Sequence, residues 1–187
     1  MKIRKYEKKD FDKVRNICLT NADITQDNQK VAEFILLMFC DYYIKEEPEC
    51  CFVAVDDDDN PVGYVYGTFD YDKYHKTFME RYYPKIKTIS LKRAIAAKIE
   101  MRDHAVYKEE YPAHFHIDVL KSNQSGGLGS KLLTEFCEYL KGRGSKGVMM
   151  ICGKDNTGAQ RFYKKNGFDT LHTKRTGVAM GKKFNTK

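Results

Sequence analysis

The chain lacks any apolar run long enough to cross a bilayer: Phe34 to Phe39 is short and is bounded by Glu33 and Asp41. No membrane-spanning helix and no membrane partner are therefore expected. Met1-Lys2-Ile3-Arg4-Lys5 is basic but leads into no apolar core, so no secretion signal is expected either. C-x-x-C spacing is also missing. The six cysteines, Cys18, Cys40, Cys50, Cys51, Cys137 and Cys152, form no metal-ligand pattern with the five histidines. A disulfide framework and a metal site are not expected, and the thiols read as reduced, mostly buried groups of a cytoplasmic protein. There is no Arg-rich tract, no recognition-helix pattern, no repeat and no low-complexity segment. The formal net charge of +7 is scattered, so a nucleic-acid partner is disfavoured and the charge reads as a bias towards small polyanions. With 42% hydrophobic and 32% charged residues among 187, the composition predicts a single globular domain spanning 1–187.

What is present is organised around His116 to Leu133. An alternating run (His116-Ile117-Asp118-Val119-Leu120) feeds a glycine-rich turn, Gln124-Ser125-Gly126-Gly127-Leu128-Gly129-Ser130, which opens into an amphipathic helix. Leu128, Leu132, Leu133, Phe136 and Leu140 recur at helical spacing, while Lys131, Glu135, Glu138 and Lys141 look elsewhere. A strand, a glycine turn and a helix start aim unpaired backbone N–H groups at one point, which suits an anion such as a phosphate. A P-loop would need Lys and then Ser or Thr after its last glycine, but Gly129 is followed by Ser130 and Lys131. A Rossmann fingerprint would need a third glycine at position 132, where Leu stands.

Along the rest of the chain, Lys2 to Tyr6 reads as a strand. Phe11, Val14, Ile17 and Cys18 then mark a helix with Asp10 as its cap. After a polar loop from Asn21 to Asn28, a second helix places Val31, Phe34, Ile35, Met38 and Tyr42 on one face. Cys51 to Val55 and Val62 to Thr68 are strands joined by Asp56-Asp57-Asp58-Asp59-Asn60-Pro61, a solvated turn without the ligand spacing of a calcium loop. Asp70 to Tyr111 reads as a helical excursion between the third and fourth strands, with Ala94, Ile95, Ile99 and Met101 as core contacts in its helix-forming part. Ala113 to Leu120 is the fourth strand, and Gly142 and Gly144 stop the helix that follows the turn. Gly147 to Cys152 is a continuous apolar run of the kind buried on both faces. A helix from about Thr157 carries Ala159, Phe162 and Tyr163, and Phe168 to Thr173 and Val178 to Phe184 are the last strands.

Two motifs in order, Gln124-x-x-Gly127-x-Gly129 and then Asn156, Ala159, Phe162, Tyr163, Asn166, Gly167 and Phe168, resemble the acetyl-CoA motifs of the GNAT (Gcn5-related N-acetyltransferase) superfamily. The resemblance is firm over Ala113 to Leu171. It implies an α/β (α+β) fold with a mixed, bent sheet of about seven strands flanked by helices, splaying between the fourth and fifth strands. It implies acetyl-CoA as acyl donor, its pantetheine arm paired with backbone of Ile117, Asp118 and Val119. The pyrophosphate would rest on N–H groups of Ser125, Gly126, Gly127, Leu128, Gly129 and Ser130, with Asn156 nearer the thioester. The implied activity is direct transfer of an acetyl group to a primary amine of a small molecule or peptide, with homodimer formation left open. Tyr163 matches the donor that protonates the leaving thiolate. Strand alternation puts His114, His116 and Asp118 on one face, so His116 and then Asp118 are the candidate bases that deprotonate the amine. Tyr111 to Gly147 also resembles, more loosely, the acetyltransferase-like domain attached to O-GlcNAc hydrolases. An inactive CoA-binding or interaction domain is thus the alternative.

Overall fold

A computed structural model gives the structure of the protein and describes residues 1–24, 28–124, 126–175 and 177–184. Strand β1 (Lys2–Lys5) leads through a short 3₁₀ turn into helices α1 (Phe11–Asn21), α2 (Gln29–Phe39) and α3 (Asp41–Glu46). The hairpin β2 (Cys51–Val55) and β3 (Pro61–Thr68) follows, then the excursion α4 (Tyr71–Arg81), α5 (Tyr83–Ile89) and α6 (Leu91–Ala105). The second half runs β4 (Ala113–Val119), α7 (Leu128–Gly142), β5 (Gly147–Gly153), α8 (Thr157–Lys165), β6 (Asp169–Thr173) and β7 (Gly177–Lys183). The strands form one seven-stranded sheet in the order β1-β2-β3-β4-β5-β7-β6. All neighbours are antiparallel except β4 and β5, which are parallel and pair only at Ala113–Val148 and His114–Met149. Beyond those two pairs the strands separate, and the expected splay is where the sequence resemblance implies it.

Each face of the sheet has its own core. On one side α7 buries Leu128, Leu132, Leu133, Phe136, Cys137 and Leu140 against Phe115, Val119, Val148 and Met150. Burying such side chains contributes roughly 1.5–3 kcal/mol each. Gly67 lets α7 and β4 approach β3, because a Cβ there would lie 2.2 Å from the His114 carbonyl oxygen and 2.7 Å from the Phe136 ring. On the other side α1 to α6 pack a tyrosine-rich core in which Tyr42, Tyr43, Tyr64, Tyr66 and Tyr74 are buried. Among the described residues, no helix is long and apolar enough to cross a membrane.

Three local expectations change. Asp10 directly precedes α1 but does not cap it; its carboxylate turns back to accept from the Glu7 N–H at 2.8 Å and from the Arg4 guanidinium at 2.7 and 2.9 Å. The second helix ends before Tyr42, since Cys40 leaves helical geometry (φ −137°, ψ −62°) and Tyr42 belongs to α3. On α6 the buried face is Ala94, Ala97, Met101 and His104, while Ile95 and Ile99 are 62% and 50% exposed. Two alanines let this helix lie close under the sheet, and the isoleucines one position further round face outward.

Candidate active site

The gap between β4 and β5 is a cavity of about 780 Å³ closed at one end by the start of α7. The turn before α7 is left-handed at Gly126 (φ 95°) and Gly127 (φ 75°), a conformation that glycine adopts without the steric penalty of a side chain. A Cβ on either glycine would meet nothing within 4 Å, so their open faces leave room for a ligand at the helix start. The first intrahelical bond there is Lys131 N–H to Gly127 O at 3.1 Å, and Gly127 offers no side-chain cap. The N–H groups of Leu128, Gly129 and Ser130 are therefore left for an anion, with the positive end of a 15-residue helix behind them. Gly129 also gives clearance, since a Cβ there would lie 3.3 Å from the Phe162 ring. Ser125 lies outside the described residues.

The β4 wall follows from strand alternation. Leu120 N–H donates to Val62 O at 2.9 Å, so the backbone groups of Asp118 and His116 face β3 as well. Those of Ile117 and Val119 face the gap. The Val119 carbonyl accepts from Gln124 Nε2 at 3.0 Å and from Asn21 Nδ2 at 3.3 Å. Gln124 thus ties the turn to the strand while lining the cavity, and Asp118 also lines it although its backbone is turned to β3. Asn156 caps α8 through Oδ1 to the Ala159 N–H (3.0 Å) and also lines the cavity. Its Nδ2 has no partner among the described residues. Met150, Phe162, Gly158 and Lys165 line the cavity too, and the sequence pattern singled out none of the four for this role, although Phe162 belongs to the second motif. The Lys165 ammonium is the kind of cation a phosphate-bearing ligand needs at the rim.

At the inner end sits Tyr163, 6% exposed, with its ring against Phe115, Phe162 and Phe168. Burial pushes its hydroxyl well above the usual phenol range, so it keeps its proton at neutral pH. The two candidate bases on β4 are unlike each other. His116 shares the Tyr43 hydroxyl with His114, at 3.1 and 2.9 Å, and burial lowers it to about 3. Asp118 accepts a 2.5 Å bond from the Tyr64 hydroxyl; burial raises it to about 6, against the opposing effect of that bond. Within one strand face, the carboxylate is the group matched to proton transfer near neutrality, and the imidazole stays neutral. The sequence ranks His116 before Asp118 on alternation alone, where the effect of burial is not legible.

The set of residues that could gather a metal, among those described, is Glu47, Glu49 and Cys50, away from this cavity. The Glu47 carboxylate already accepts from Tyr42 OH at 2.6 Å and Thr68 OH at 2.7 Å.

A family model described as the acetyltransferase (GNAT) family matches residues 94–168, which run from α6 through the end of the second motif. The crystal structure of SsHAT superposes with a TM-score of 0.87 at 26% identity, covering 97% of each chain. Residues 94–168 thus match the GNAT family model, and the chain as a whole is similar in fold to a GNAT acetyltransferase. Other GNAT-fold structures are similar along their whole length. PaiA N-acetyltransferase from Thermoplasma acidophilum, in complex with coenzyme A, has a TM-score of 0.58 at 15% identity and 98% coverage of both chains. Ard1 from Thermoplasma volcanium has a TM-score of 0.60 at 19% identity, covering 99% of this chain and 98% of its own. At those identities the likeness shows the fold, which is the GNAT arrangement of a seven-stranded mixed sheet flanked by helices.

Proposed function

We propose that the protein transfers the acetyl group of acetyl-CoA to the primary amine of a small molecule or peptide. The observation that carries this reading is the cavity between β4 and β5, with an uncapped helix start at one end and Tyr163 with Asp118 at the other. Its residues fit coenzyme A: free N–H groups of Leu128 to Ser130 and Lys165 for phosphates, and the strand-edge groups of Ile117 with the Val119 N–H for an amide-bearing arm. Acetyl-CoA supplies a thioester, whose C–S bond breaks as the C–N bond to the amine forms. Asp118, directly or through water, takes the proton that the acceptor ammonium must lose before its nitrogen can attack. His116, neutral over the working range, accepts a hydrogen bond from the amine and orients it. Tyr163 gives its proton to the departing sulfur and regains one from the acylated nitrogen, so that one proton per turnover leaves to solvent.

Calorimetric titration with acetyl-CoA, beside a Gly127→Trp variant, tests the site. The wild type should bind and the variant should not, because the indole fills the open space in front of the helix start. Release of free thiol on adding primary amines tests the transfer. Binding without thiol release across a broad amine panel would leave a CoA-binding domain and sink the enzymatic reading.

A further inference from the structure

A second cavity of about 90 Å³ lies on the opposite side of the sheet from α7, between α6 and the β5–β7 pair. Glu100 and Asp103 of α6, Tyr107, Ile151, Ala179 and Lys174 line it. Ile151 belongs to this groove and to the large cavity alike. Ile151 and His116 each stand two residues beyond the last β4–β5 pair, His114–Met149, where the gap begins. A separate small space of about 10 Å³ counts both Glu100 of the groove and His116 of the large cavity among its lining residues. The groove therefore approaches the reacting end of the gap from the face that a bound coenzyme would not cover.

The chemistry of its walls is selective. The Glu100 carboxylate is half-buried and has no side-chain partner among the described residues. Asp103 holds the Lys174 ammonium, so the groove mouth already seats a primary ammonium of the chain's own. Between these groups the lining is apolar and slender, with Ile151 and Ala179, and it suits a methylene chain of a few atoms. In a chain of net charge +7, this acidic lining opposes the overall field and so acts locally.

We propose that this groove is the acceptor site and that it selects amines carrying a second positive charge: α,ω-diamines, or lysine-like side chains beside another cation. The inference rests on the transferase reading above. One nitrogen of the acceptor is deprotonated and attacks, while the other stays protonated against Glu100, with Asp103 available when Lys174 swings away. Glu100 is here a specificity-determining residue that touches the substrate, contributed by the helical excursion.

The test compares 1,4-diaminobutane with n-butylamine at saturating acetyl-CoA, in the wild type and in Glu100→Gln and Asp103→Asn. The wild type should favour the diamine in kcat/KM by about tenfold or more, the scale of one retained charge-assisted contact. Glu100→Gln should collapse that ratio through KM while acetyl-CoA affinity by calorimetry is kept. Equal kcat/KM for the two amines in the wild type, or an undiminished preference in both variants, would overturn the inference. If neither amine is acetylated, titrating 1,4-diaminobutane into protein saturated with coenzyme A decides. Binding that is lost in Glu100→Gln supports the groove, and no binding to the wild type overturns it. Failure of the transferase reading itself would show separately, as no binding of acetyl-CoA.

Discussion

Asp118 and His116 stand two residues apart on the same strand face, and burial pushes them in opposite directions, because it disfavours the charged form of each. The carboxyl rises to about 6 and the imidazole falls to about 3. With Asp118 as base, kcat/KM should fall on acidification with an apparent pKa near 6, and Asp118→Asn should lower it by about 10²-fold or more. An acid limb near 3, kept in Asp118→Asn and removed in His116→Gln, would hand the role to the imidazole. Tyr163→Phe should reduce kcat by about 10- to 100-fold with acetyl-CoA affinity nearly unchanged, and unchanged turnover would remove Tyr163 from the chemistry. The identities of these three residues are readable from alternation and motif; their order of merit is not, because proton affinity depends on what covers a side chain. Glu100 is illegible for a different reason. No spacing relates it to either motif, and only the placement of α6 beneath the gap brings it near Ile151.

At the scale of elements, α7 is the most legible part of the molecule. Its apolar spacing, its glycine entry and its end are all stated by local sequence, and its buried stripe is the one that the periodicity predicts. Leu132→Ala removes a side chain with no solvent exposure and should cost about 2–5 kcal/mol in unfolding free energy. Chemical denaturation measures this, and a loss below about 1 kcal/mol would mean that α7 repacks. Helix α6 is the opposite case. Its composition announces a helix, but Ile95 and Ile99 look like core residues and are not, because hydrophobicity alone cannot tell which of two adjacent stripes a small-residue face will draw against a sheet. The break at Cys40 is equally silent: nothing in Phe39-Cys40-Asp41 forbids a continuous helix, and tertiary packing of Tyr42 and Tyr43 decides it.

For the whole molecule, proton binding links the buried face of β4 to stability. His114 and His116 are held neutral by burial, so between about pH 6 and 4 the unfolded chain carries nearly two protons that the folded chain does not. Asp118 works the other way, since the folded carboxyl binds a proton in that window and the unfolded one does not. The unfolded state thus binds one proton more in net from these three groups, and acidification across this window should lower stability. Urea midpoints at pH 6.5 and 4.5 check the sign; a higher midpoint at pH 4.5 would refute it. The splay comes from the resemblance and not from periodicity, since a parallel pair that lasts two residues leaves no mark on either strand's sequence. That brevity makes the sheet a wall with a seam. Four strands stand on one side of it and three on the other, joined edge to edge by two residue pairs and otherwise only by what lies across them. A guest that hydrogen-bonds along the open edge of β4 becomes the missing course of masonry. The two half-sheets should then exchange amide hydrogen as one unit with the guest in place and as two without it.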